Sequence, residues 1–107
     1  MEPCVFCKIV AKELPCTLVH EDGEIMAFHD IKPSAKTHIL IVPKKHISTI
    51  IDLNENESDE ILVGKMILIG RNIARERGLS GYKLNFNVGE NGGQVIFHIH
   101  LHLMSDE

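Results

Sequence analysis

Between Tyr82 and Val88 the apolar residues Tyr82, Leu84, Phe86 and Val88 alternate with Lys83, Asn85 and Asn87, the period of two expected of a half-buried strand. The same alternation returns over 97–104, where Ile99, Leu101 and Leu103 interleave with three histidines. Residues 37–42 are rich in β-branched and apolar types until Pro43 stops them, which predicts a third strand. Two more flank Glu21-Asp22-Gly23, because Asp-Gly between the apolar stretches 17–20 and 24–28 is a hairpin signal. Period 3.6 replaces period 2 where Ile61, Leu62, Met66, Ile69 and Ile73 recur. The pattern predicts one long helix over 55–77, with Asn54 as its N-cap, Glu57 answering three residues on, and Gly78 as C-cap. A short amphipathic helix is predicted over 8–14, with Ile9 and Val10 inward and Pro15 ending it. Residues 33–36 and 89–93 read as loops. Five strands without regular β-α alternation predict an α+β domain with a mostly antiparallel sheet.

Length and charge narrow the function. At 107 residues the chain predicts one domain, 1–107, so any active groups share one core. A composition 44% apolar and 24% charged is that of a folding chain. No apolar run approaches the roughly 20 residues that cross a bilayer, and Met1-Glu2-Pro3-Cys4 does not start a signal peptide. These features predict a cytoplasmic protein with no membrane partner. A net charge of −4 argues against a nucleic-acid-binding role, which needs a basic face.

Seven histidines change the picture, and their placement is the informative part. In His98-Ile99-His100-Leu101-His102-Leu103-Met104 a strand would put all three imidazoles on one face and the apolar residues on the other. Three ligands spread over roughly 13 Å of straight strand do not converge on one ion, so the three histidines are expected to divide their labour. Immediately upstream, Gly89-Glu90-Asn91-Gly92-Gly93-Gln94 can bring backbone N–H groups close to an anion. A glycine-rich loop beside imidazoles suggests a phosphate. A neutral imidazole nitrogen can attack phosphorus while a second histidine serves the leaving group. Cys4-x-x-Cys7, by itself, is half a zinc site, a redox pair or two inert thiols.

The segment 98–104 fits the pattern His-φ-His-φ-His-φ-φ, where φ is apolar, at every position. Together with Ala27-Phe28-His29-Asp30-Ile31, Thr37-His38-Ile39-Leu40-Ile41-Val42-Pro43-Lys44-Lys45-His46-Ile47, Asn87-Val88-Gly89 and Gly92-Gly93-Gln94, it resembles the Hint branch of the histidine triad (HIT) superfamily over almost the whole chain. The resemblance implies a HIT fold and a homodimer meeting through the long helix and the strand at 82–88. It implies a hydrolase or transferase acting at the α-phosphate of purine nucleoside phosphoramidates or adenylated compounds, through a nucleotidyl-histidine. The alternatives are a dinucleoside polyphosphate hydrolase and a non-catalytic, zinc-stabilised nucleotide-binding module.

By the same resemblance His100 is the nucleophile and His102 contacts the phosphate or leaving group. Asp30 takes the ribose hydroxyls, and Phe6, Ile9, Leu14, Phe28 and Ile31 wall the base. Asn87 and the backbone of Gly93, Gln94 and Val95 hold the phosphate. Zinc-carrying relatives imply a structural zinc on Cys4, Cys7, His46 and His98. Two departures stand out: Val95 replaces a hydroxyl residue common in that branch, and no long tail follows Met104. Cys16 reads as a buried hydrophobe, His20 and His29 as surface or turn residues, and His38 as a strand histidine satisfied by backbone.

Overall fold

The computed structural model describes residues 4–107. Five strands, β1 (Leu18–Glu21), β2 (Ile25–His29), β3 (Thr37–Pro43), β4 (Lys83–Asn85) and β5 (Leu101–Ser105), form one sheet in the order β1-β2-β3-β5-β4, with every neighbouring pair antiparallel. Helix α1 (Val5–Val10) covers one face of the sheet and helix α2 (Glu57–Glu76) the other. The α+β prediction with a long and a short helix is therefore met.

Strand parity sorts the side chains between two cores. Ile25, Ala27, Ile39, Ile41, Leu101 and Leu103 face α2, where they pack with Leu62, Met66, Ile73 and Ala74. Met26, Phe28, Leu40 and Val42 face α1 and its Phe6 and Ile9. Because both faces are covered, β2 and β3 are buried almost throughout, which is why 39–42 reads as a continuous apolar run. Gly70 lets α2 lie close to the sheet, since a Cβ there would stand 3.0 Å from the Leu84 side chain.

Several boundaries differ from the sequence reading. Helix α1 begins three residues earlier than expected, with Cys4 as its N-cap, and ends in a left-handed Lys12 (φ 65°) whose neighbours close the helix: Lys12 N–H donates to Ile9 O and Glu13 N–H to Lys8 O. The cap of α2 is Asn56, whose side chain accepts from Asp59 N–H at 2.8 Å; Asn54 instead donates its N–H to Asp59 Oδ2 at 2.7 Å. Ile61 is half exposed, and the buried stripe runs through Leu62, Met66, Gly70 and Ile73. Strand β4 is confined to 83–85. The ladder of β5 starts only at Leu101, because the backbone bends over 96–98 and Ile99 N–H bonds to Ile47 O at 2.7 Å.

Candidate active site and metal centre

That bend separates the first histidine from the other two. His98 is fully buried beside the N-terminus of α1, where Cys4, Cys7 and His46 meet it. Its Nε2–H donates to Pro43 O at 2.8 Å, so Nδ1 carries a lone pair directed at the cluster. From His98 Nδ1 the neighbouring donors stand at 3.4 Å (Cys4 Sγ), 3.6 Å (Cys7 Sγ) and 3.2 Å (His46 Nδ1), and Cys7 Sγ is 3.3 Å from His46 Nδ1. Tetrahedral zinc with ordinary Zn–N and Zn–S bonds has ligand–ligand edges of about 3.3–3.8 Å. The donor set therefore fits one S₂N₂ ion. Burial lowers the pKa of His98 to about 4, which keeps the imidazole neutral and able to ligate.

His100 and His102 open instead into a cavity of about 620 Å³ between α1, the 30–32 segment and the 87–96 loop. Phe6, Ile9, Leu14, Phe28 and Ile31 line its apolar part, and Asp30, Asn87, Gly93 and Val95 stand around the rest. Val5, Pro15, Cys16 and Leu40 complete the apolar wall without any distinguishing sequence signal. Gln94 does not line the cavity. The residue is 4% exposed, and its side-chain amide accepts from Gly89 N–H while donating to Ser48 O and Ile96 O, so it braces the glycine loop from behind. Gly93 adopts φ 87°, a left-handed turn that favours glycine, and its N–H and that of Gln94 donate within the loop to Glu90 O and Gly89 O. Asn85 Nδ2 donates to Asn87 Oδ1, which leaves the Asn87 NH₂ as the free half of that amide.

The two cavity imidazoles hold opposite tautomers. His100 Nδ1–H donates to His98 O at 2.7 Å, so its Nε2 presents a lone pair. In His102 the order is reversed, and the cause lies on β3. Ser34 N–H donates to His38 Nδ1 at 3.1 Å, which places the His38 proton on Nε2; that N–H lies 2.9 Å from His102 Nδ1 and 3.5 Å from Asp30 Oδ2. His102 Nδ1 thus accepts, and its buried Nε2 carries a hydrogen with no partner among the described residues. Burial lowers the pKa of His102 to about 4, and with neighbouring His100 and His38 keeps it neutral; burial lowers His100 as well. Asp30, His38 and His102 also cluster closely enough for a cation, but the proton on His38 Nε2 makes them a hydrogen-bond chain.

His38 is the functional residue that sequence reasoning underrated. It shares strand parity with Leu40 and Val42, and since Leu40 pairs with His102, His38 is the diagonal neighbour of His102 on the cavity face. Cys16 is half-buried at the cavity edge. His20 pairs with Asp22, and His29, at the cavity rim, contacts Arg77.

A lone pair and an N–H presented by adjacent imidazoles, a carboxylate and an apolar pocket form a site for nucleophilic chemistry on a ligand with an apolar ring, and relatives with the same architecture give it a class. The family model for the scavenger mRNA decapping enzyme C-terminal binding region matches residues 3–107. The chain belongs to the HIT family, and it is a HIT-type hydrolase. It is 44% identical to protein HitA of Neisseria gonorrhoeae over 105 residues, 97% of this chain and 96% of the relative. Identity to the purine nucleoside phosphoramidase of Escherichia coli K12 is 40% over 105 residues, 96% of this chain and 87% of that one. A HIT family hydrolase from Legionella pneumophila superposes with a TM-score of 0.92 at 48% identity, covering 98% and 94% of the two chains.

Proposed function

We propose that this protein hydrolyses purine nucleoside phosphoramidates or similar adenylated compounds at the α-phosphate, through a nucleotidyl-His100 intermediate. The observation that carries the reading is the pair of opposed tautomers: a lone pair on His100 Nε2 beside a hydrogen on His102 Nε2 in one cavity. A relative named purine nucleoside phosphoramidase supports the substrate class. The base sits between Phe6, Ile9, Leu14, Phe28 and Ile31, and the ribose hydroxyls donate to Asp30. With the Gly93 and Gln94 N–H groups already used, the Asn87 amide and the Val95 backbone are the partners for the phosphate.

His100 Nε2 then attacks phosphorus as the P–N bond to the amine breaks. The departing nitrogen leaves with the bonding pair, steadied by the hydrogen bond from His102 Nε2–H, which His38 backs from the other side of the ring, and takes its proton from solvent. Water next attacks phosphorus, the P–N bond to His100 breaks with its electron pair returning to Nε2, and the water's proton passes to solvent. Products are the nucleoside monophosphate and the free amine. Zinc on Cys4, Cys7, His46 and His98 would have four protein donors and no open position, so its role is structural.

We further place the protein in the cytoplasm, as its free thiols suit a reducing compartment. We propose a homodimer joined through α2 and the edge strand β4, an arrangement supported by half-exposed Ile61, Ile67 and Leu68 on α2. The decisive experiment is mass spectrometry of protein quenched during turnover of an adenosine phosphoramidate. An adenylyl adduct on His100 supports the mechanism. Faster turnover of dinucleoside polyphosphates would move the substrate class, and nucleotide binding without any adduct or turnover would favour a binding module, for which the hydroxyl-free Val95, 86% exposed, is the supporting observation.

A further inference from the structure

The first turn of α1 belongs to two sites at once. Cys4 caps it and Cys7 closes it, Cys7 N–H pointing to Cys4 Sγ at 3.4 Å, and between these sulfur donors lie Val5 and Phe6, which line the cavity. The Phe6 ring is buried with its centroid 5.8 Å from that of His98 in the metal centre and 5.1 Å from that of His100 in the cavity. Little else fixes this wall. A six-residue helix is too short to be stable on its own. Among the described residues, the backbone hydrogen bonds that residues 4–14 donate outside the helix all end within residues 4–14. The ion pair of Lys12 with Glu21 is exposed and holds weakly. Among the described residues, what remains is the packing of Phe6 and Ile9, with Cys4 and Val10 beside them, and the tie of the two sulfurs to His46 and His98.

We propose that the metal centre and the nucleotide cavity are energetically coupled through this turn, so that zinc on the Cys4–Cys7–His46–His98 cluster tightens purine nucleotide binding and the nucleotide tightens zinc in return. The proposal rests on the nucleotide reading of the cavity given above. Metal ligation would set the depth of Phe6 against the base, and a seated base would hold Cys4 and Cys7 in ligating position. Reciprocity follows from linkage, since each ligand lowers the ordering cost met by the other.

Adenosine 5′-monophosphate and zinc are the probes. Titration calorimetry of the zinc-loaded and zinc-stripped protein should show AMP binding weakened on the order of tenfold by stripping, within the usual range of coupling between sites. Because the stripped protein can lose its fold, the reciprocal measurement uses the loaded form: zinc affinity, from equilibrium competition with a chromophoric chelator, should rise by the same factor at saturating AMP. A Phe6→Leu variant, saturated with AMP at higher concentration, should retain zinc and lose most of the increase. Equal zinc affinity with and without saturating AMP would overturn the coupling while leaving the nucleotide site intact. Zinc-loaded protein that fails to bind AMP at all would instead remove the nucleotide reading, and the coupling with it.

Discussion

A proton's position on each imidazole distinguishes residues that the sequence writes identically. His98, His100 and His102 are set apart by Pro43 O, His98 O and the His38 N–H respectively, and the ring nitrogen left over in each case decides what the residue can do. His100→Ala should therefore abolish phosphoramidate turnover while AMP binding stays measurable by calorimetry, because the other cavity residues remain. Turnover at the parental rate would exclude covalent catalysis at this residue. The low pKa of His102 also has a consequence for stability. Its folded value of about 4 lies below the ordinary value of 6.5, so between these pH values the unfolded chain binds a proton that the folded chain does not. This contribution to stability is present above about pH 6.5 and is lost as the pH falls towards 4. Urea unfolding at pH 7 and pH 5 should show a smaller acid-induced loss in His102→Gln than in the parent; equal losses would mean that His102 is not buried in its neutral form.

Helix ends show where local signals mislead. Two asparagines precede α2, and Asn54 looked the better cap because Glu57 follows it by three; the structure uses Asn56, with Asp59 buried and answering the Asn54 N–H. Both pairs have the same spacing, so only the packing of Asp59 separates them. Asn56→Ala should cost about 1 kcal/mol in urea unfolding, the usual effect of removing a cap, and Asn54→Ala much less. The reverse order would place the cap at Asn54. At the other helix, Pro15 suggested an end near residue 14, but α1 closes through Lys12 in a left-handed conformation that ordinarily announces itself with glycine. The start of α1 was equally hidden, since Cys4 caps through sulfur and cysteine is not a usual capping residue.

For the described residues as a whole, a helix packs on each face of the sheet, and β1 and β4 are its edge strands. Ile61 and Leu68 are seven residues apart on α2, so they share one helix face, and each is about half exposed. An Ile61→Glu, Leu68→Glu double variant should change the mass measured by light scattering from dimer to monomer, with an unchanged circular dichroism spectrum. A monomeric parent would remove the dimer from the proposal.

Alternation, β-branched composition and the Asp-Gly turn determined that these strands and the long helix exist, and strand parity set His102 on the face opposite Leu101 and Leu103, because all of these are properties of consecutive residues. The division of labour among those histidines was expected from distance, and the residue roles from resemblance to relatives. Tertiary structure decided the rest. Cys4 and His98 are 94 residues apart in sequence and meet at 3.4 Å only because α1 folds against the bend before β5. The importance of His38 depends on the register of β3 with β5, a pairing between strands separated by the whole of α2. Gln94 stands within a recognisable motif, yet its amide turns away from the cavity to satisfy buried backbone. Tautomers, cavity walls and metal clusters are made by contacts between distant segments, and no local pattern specifies which polar atom a buried side chain will meet.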